Sequence, residues 1–128
     1  MNANGQPPGL RFRGATSLIH TVQRTLGQDE GLLAVASCRT GAANGADGRR
    51  AVLFLTTQRL GVVDDQRWRR KVVDVPLAEL RELTAQPGVS TARLTFASEE
   101  RSVTIDQIPK SQFDLLFDTL GELPLDLG

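Results

Sequence analysis

The chain has 128 residues, of which 40% are hydrophobic and 23% charged, and its formal net charge is zero. This length suits a single domain that buries roughly two thirds of the surface of its unfolded chain, and the charge balance excludes the global basic excess of a nonspecific nucleic-acid binder. No apolar run reaches membrane-spanning length and the N-terminus lacks the pattern of a signal peptide, so we expect a cytoplasmic protein.

The N-terminal part of the chain divides into a polar arm and a short helix. Residues 1–15 carry too few apolar groups to pack, which predicts a flexible arm. In residues 16–27 the apolar side chains recur at helical spacing, and Gly27 suits the end of a helix. These apolar residues are Leu18, Ile19, Val22 and Leu26. We therefore predict an amphipathic helix over residues 16–27.

From residue 31 onward the apolar residues follow the period of strands. We expect about seven short strands before residue 109, separated by polar or glycine-containing turns such as Pro87-Gly88. A closing helix follows, because Pro109 suits a first helical turn and the next apolar residues form an i, i+3, i+4, i+7 stripe. The stripe consists of Phe113, Leu116, Phe117 and Leu120.

The order of these elements predicts the architecture. Short consecutive strands followed by one helix favour a mainly β fold, a small antiparallel barrel whose open end is plugged by that helix. The single domain would span residues 16–122 and leave a short C-terminal tail at residues 123–128.

The tight hairpin predicted around Thr57-Gln58 determines which side chains share a face of the sheet. A two-residue turn places opposed residues in a fixed register, and opposed residues point to the same side. The predicted pairs are Leu55 with Leu60, Phe54 with Gly61, Leu53 with Val62 and Val52 with Val63. Because the neighbouring Arg59 is polar, the pairs that contain Leu60 and Val62 are predicted to face the core. The other two pairs are predicted to face outward.

The outer face of this first sheet is therefore also apolar. Alternation along the next strand adds two outward side chains unless a bulge intervenes. The predicted surface consists of Val52, Phe54, Val63, Trp68 and Val72. A soluble domain seldom leaves such a patch bare. We expect partial cover by the helix at 16–27, and use of the remaining surface for self-association or for binding a protein partner.

Four phrases of the sequence resemble the bacterial pleckstrin-homology-like (PH-like) domains and, more distantly, the GRAM domains. LFLTTQRLGVV resembles the second-to-third strand hairpin of that family, and VPLAELREL is similar to the phrase after its fourth strand. ARLTFAS and VTIDQIPKSQFDLLFDTL resemble the final hairpin and the closing helix. The resemblance covers about residues 29–121. It implies a barrel closed by a helix, and it favours an assembly function because bacterial members of the family are associated with self-assembly.

The same resemblance raises an alternative function, peripheral binding to anionic membranes. Phosphoinositide-binding relatives use basic residues around the first loop, which Arg39, Arg49 and Arg50 approach here, although the last two are adjacent and point to opposite faces of a strand. The possible anion contacts are Arg49, Arg50, Arg67, Arg69 and Arg70. Acidic residues in the neighbouring loops are expected to cancel most of their field.

The sequence offers little for catalysis or metal binding. It contains one histidine and one cysteine, and neither His20 nor Cys38 has a neighbour at ligand spacing. Cys38 lies in an apolar run and is expected to be buried, while the paired acids Asp29-Glu30 are expected to form a solvated turn. We therefore predict no catalytic residue, no cofactor and no metal, and a non-enzymatic binding or assembly module.

Overall fold

The computed structural model describes residue 19 and residues 22–40, 49–65 and 70–123. Seven strands and one helix occupy this part of the chain. The strands are β1 (Leu32–Thr40), β2 (Arg49–Thr56), β3 (Arg59–Asp65), β4 (Arg70–Pro76), β5 (Glu82–Pro87), β6 (Thr91–Ala97) and β7 (Ser102–Pro109). A short 3-10 turn at Leu77–Glu79 joins β4 to β5, and helix α1 (Lys110–Gly121) follows β7 directly.

The strands form one antiparallel sheet with the order β4-β3-β2-β1-β7-β6-β5. Each strand pairs with the next one along the chain, with one exception: β4 and β5 do not pair and form the two edges of the sheet. The two halves of the sheet are joined by the pairing of β1 with β7. The sheet curls, so that side chains from β4 and from β5 contribute to one core. The predicted mainly β antiparallel fold with a closing helix is confirmed.

The predicted ends of the domain fall largely outside the described residues. In the predicted helix over residues 16–27, the described helical residues are Ile19, Val22 and Gln23. The predicted arm at 1–15 lies outside, as does the tail beyond residue 123. The domain boundaries therefore stay predictions.

The hairpin of β2 and β3 has the predicted register. Leu55 pairs with Leu60, Phe54 with Gly61, Leu53 with Val62 and Val52 with Val63. The turn is tight without a glycine because the Thr56 hydroxyl accepts hydrogen bonds from the backbone N–H groups of Gln58 and Arg59, each at 3.0 Å. Many hairpin turns need a glycine at positive φ, whereas here neither Thr57 nor Gln58 has a positive φ.

The main core lies between the inner face of the sheet and helix α1. The four hairpin residues predicted to point inward all belong to it: Leu53, Leu55, Leu60 and Val62. Helix α1 adds Phe113, Leu116 and Leu120, none of which is more than 4% exposed. Cys38 also lies in this core, as its apolar neighbours predicted.

Helix α1 fills the gap where β1 and β7 diverge. These two strands pair only at Arg39 and Thr40 of β1, so the preceding edge of β1 needs other hydrogen-bond partners. The backbone N–H of Ser37 donates to Oε1 of Gln112, on helix α1, at 2.8 Å. The helix therefore satisfies part of the strand edge as well as closing the core.

The outer face of β6 and β7 is polar. The Arg93 guanidinium donates two hydrogen bonds to the Asp106 carboxylate at 3.1 and 3.0 Å, and the hydroxyls of Thr95 and Thr104 lie 3.0 Å apart. A bulge around Gln107, whose φ is 55°, shifts the register near the end of β7. Within the described residues, an apolar outer face therefore belongs to the first half of the sheet.

Candidate functional site: the covered outer face of the first strands

A second buried apolar cluster lies on the outer face of β1, β2 and β3. We call its strand residues the outer cluster: Val35, Val52, Phe54 and Val63. Their exposed fractions are between 0% and 3%, and Val72 of β4 packs half-buried against them. The structure therefore confirms that Val52, Phe54, Val63 and Val72 lie together on the outer face of the sheet. Trp68 lies outside the described residues.

The chain covers the outer cluster with its own N-terminal segment. Val22 is fully buried, and Ile19 and Leu26 pack against the cluster. We call Ile19 and residues 22–26 the cover segment. The sequence predicted partial cover by the helix at 16–27, and the described residues of that stretch do cover the outer cluster. Because the cluster is buried in this conformation, its use as a protein interface stays a prediction.

Phe54 is held at the centre of the cluster by its neighbours across the strands. A Cβ atom added at Gly61 would lie 2.6 Å from Cζ of Phe54, so the ring occupies the space that a side chain at this position would need. The Arg59 guanidinium lies over the same ring, 5.2 Å from its centroid. The ring is therefore fixed by a glycine beside it and a cation above it.

Arg59 joins the cover segment to the sheet through a polar network. Its Nε donates to Oε2 of Glu30 at 2.7 Å, another nitrogen donates to the Asp74 carboxylate, and a third donates to the backbone carbonyl of Thr25. Glu30 also accepts hydrogen bonds from the Thr56 hydroxyl at 2.6 Å and from the Gly27 N–H at 3.0 Å. We call the set centred on Glu30 and Arg59 the latch.

The latch corrects one expectation from the sequence. Asp29-Glu30 was predicted to be a solvated turn, but the Glu30 side chain is only 3% exposed. The expectation holds for Asp29, which is exposed in a turn, and it is wrong for Glu30 because Arg59, distant in sequence, pairs with this carboxylate. Nothing in the local sequence around Glu30 signals this contact, since it depends on the turn that brings the N-terminal segment back onto β3.

The latch favours the charged forms of both partners. Burial opposes ionisation of Glu30, but hydrogen bonds from Arg59, Thr56 and Gly27 outweigh it and hold the pKa of this carboxyl below its usual value. For Arg59 burial acts against the charge, and the carboxylates of Glu30 and Asp74 outweigh it and raise the pKa of the guanidinium. The pair is therefore ionised at neutral pH.

The predicted anion contacts are only partly described. Arg50 is exposed on β2 and lies opposite Arg39 of β1. The side chains of the other four predicted contacts lie outside the described part of the chain, so their grouping stays a prediction. These are Arg49, Arg67, Arg69 and Arg70. In the loop between β6 and β7, the exposed acid Glu99 pairs with Arg81 at 3.0 Å.

The described residues contain no group of three or more histidine, cysteine or acidic side chains that could hold a metal ion. His20 lies outside them. None of the helices they form has both the length and the apolar character needed to cross a membrane.

Sequence and fold both match known proteins. A family model described as Bacterial PH domain matches residues 26–122, slightly more than the predicted 29–121. The fold is similar to that of a crystal structure of a pleckstrin homology domain from Shewanella amazonensis SB2B, with a TM-score of 0.53 and 14% identity. That match covers 88% of this chain and 98% of the other. It confirms the predicted PH-like fold. No curated protein matches the chain.

Proposed function

Because the chain belongs to the bacterial PH domain family, we propose that it is a non-enzymatic binding or assembly module with the outer cluster as its protein-binding surface. Domains of this kind generally mediate binding to proteins or lipids. The observation that carries the proposal is the second apolar layer on the first strands, which the main core does not require. A contiguous apolar patch that is exposed once its cover is removed is typical of an interaction site.

The origin of the cover supports this proposal. The family match begins at residue 26, so Ile19 and Val22 precede the matched region whereas the whole outer cluster lies inside it. The surface thus belongs to the domain, and most of its cover comes from an extension. A cover of this kind can be exchanged for another amphipathic helix without dismantling the domain.

The apolar contacts of the cover segment are few. Burying one aliphatic side chain contributes about 1.5–3 kcal/mol, and in this segment Val22 is the side chain that is fully buried. Ile19 and Leu26 are only partly buried. A partner that offers more apolar surface can therefore compete with the segment for the outer cluster.

Lifting the cover in the full chain tests the proposal. Val22→Asp places a carboxylate at a fully buried position, so we expect the segment to detach and the outer cluster to bind a hydrophobic dye and to associate. The matched control is Gln23→Asp, which adds the same charge at an exposed neighbour. Dye fluorescence and sedimentation velocity provide the readouts. A folded V22D protein that is monomeric and dye-silent like the control would contradict the proposal.

Binding to anionic membranes is the alternative, and the exposed Arg50, with Arg39 opposite it, is the observation that supports it. Co-sedimentation with anionic vesicles distinguishes the two functions. Binding that weakens with salt and is lost in Arg50→Ala would favour the membrane.

A further inference from the structure

We propose that the outer cluster accepts the cover segment of a second copy of this chain, so that two chains exchange their N-terminal segments reciprocally. This inference rests on the proposed function and names the partner. The complementarity is already present, because the segment that packs on the outer cluster within one chain is identical in a second copy. An exchanged dimer therefore reproduces every contact of the segment and changes only the connection.

Arg59 gives the docked segment a direction. It donates a hydrogen bond to the carbonyl of Thr25, which follows the helical residues Val22 and Gln23. Carbonyl groups at the C-terminal end of a helix lack partners within the helix and favour a cation. A helix docked in the opposite direction would present N–H groups to the guanidinium, which also only donates. The outer cluster and Arg59 together therefore favour a helix whose C-terminal carbonyl groups point toward the Arg59 guanidinium, as those of the cover segment do.

The connection between the segment and β1 is a short turn with fixed ends. The Glu30 N–H donates to the carbonyl of Gly27 at 3.3 Å, which reverses the chain so that the segment returns to its own sheet. After the turn, the Thr57 N–H donates to the carbonyl of Gly31 at 2.9 Å and anchors the start of β1. Between them Gln28 and Asp29 are exposed. An extended form of this turn would direct the segment away from its own sheet.

Shortening the turn tests the exchange in the full chain. Deleting Gln28 and Asp29 removes at most about 7 Å of reach, so the segment can no longer return to its own sheet but can still dock on a second copy. We expect a dimer in sedimentation velocity that is dye-silent, with a melting temperature that rises with protein concentration. Inserting Gly-Ser between the same two residues preserves the return path, so this control should show the same monomer fraction as the wild-type protein.

A second variant shows whether the segment itself makes the dimer. Adding Val22→Asp to the deletion should abolish the dye-silent dimer and restore dye binding, and a dye-silent dimer that persists would overturn the exchange. A monomeric deletion variant would also overturn it. If that monomer binds dye, the cluster is open and the proposed function stands, whereas a dye-silent monomer argues against both. If the deletion variant does not fold, the double substitution Gln28→Pro and Asp29→Pro replaces it. The two prolines favour an extended connection without shortening the chain, and the same measurements of dimer formation and dye binding apply.

Discussion

At the scale of single residues, Gly61 allows Phe54 to lie in the outer cluster. A methyl group there would meet Cζ of Phe54 at 2.6 Å and Cβ of Asp74 at 2.9 Å. We expect Gly61→Ala to destabilise the protein by about 1–3 kcal/mol, the usual cost of overpacking. Gly121→Ala is the control, because nothing lies within 4 Å of its added methyl and alanine favours a helix. Urea unfolding measures both, and equal stability of the two variants would contradict this description of Phe54.

Glu30 makes the latch dependent on pH. Because its pKa in the folded chain lies below the usual value, its contribution is present at neutral pH and is lost as the pH falls through the folded pKa. We expect Glu30→Gln to cost about 2 kcal/mol at pH 7, as for hydrogen bonds to a charged group, and the difference from wild type to shrink in acid.

Denaturant unfolding over a pH series measures this difference. Glu79→Gln, at an exposed position, corrects for the general effect of acid on the protein. A difference between wild type and E30Q that stayed constant down to acid pH would mean that the carboxylate does not supply the latch energy.

At the scale of elements, the sequence predicted the strands, the closing helix and the hairpin register. These are local properties: alternation fixes the faces of β2 and β3, and a two-residue turn fixes which residues oppose one another. The apolar outer face followed from the same alternation. The sequence predicted only partial cover by the helix at 16–27, because alternation within the sheet does not determine how much of the face a separate helix covers.

The latch could not be predicted in this way. Glu30 and Arg59 are separated by a strand pair, and each has an unremarkable polar setting in the sequence. Their contact arises only after β1 and β2 pair and the turn at Gly27 returns the cover segment to β3. Nonlocal polar pairs carry no periodic signal, unlike the apolar faces that surround them.

At the scale of the whole molecule, the chain consists of a bacterial PH domain and an N-terminal segment that packs on its first strands. The main core under helix α1 explains why the domain folds. The outer cluster is an additional apolar layer whose cover is held by Val22, by two partly buried side chains and by the latch. Use of the outer cluster as a binding surface therefore requires that the cover opens while the domain stays folded.

Native-state hydrogen exchange of the wild-type protein measures this opening. The amides of Thr25 and Leu26, which donate to the carbonyls of Val22 and Gln23, report on the cover segment, and the strand amides of β2 and β3 report on the domain. We predict that the cover amides exchange through a local opening of lower free energy, one that depends little on denaturant. Equal free energies and equal denaturant dependence for both sets would show that the cover opens only when the domain unfolds, and the outer cluster would then be a second core rather than a binding surface.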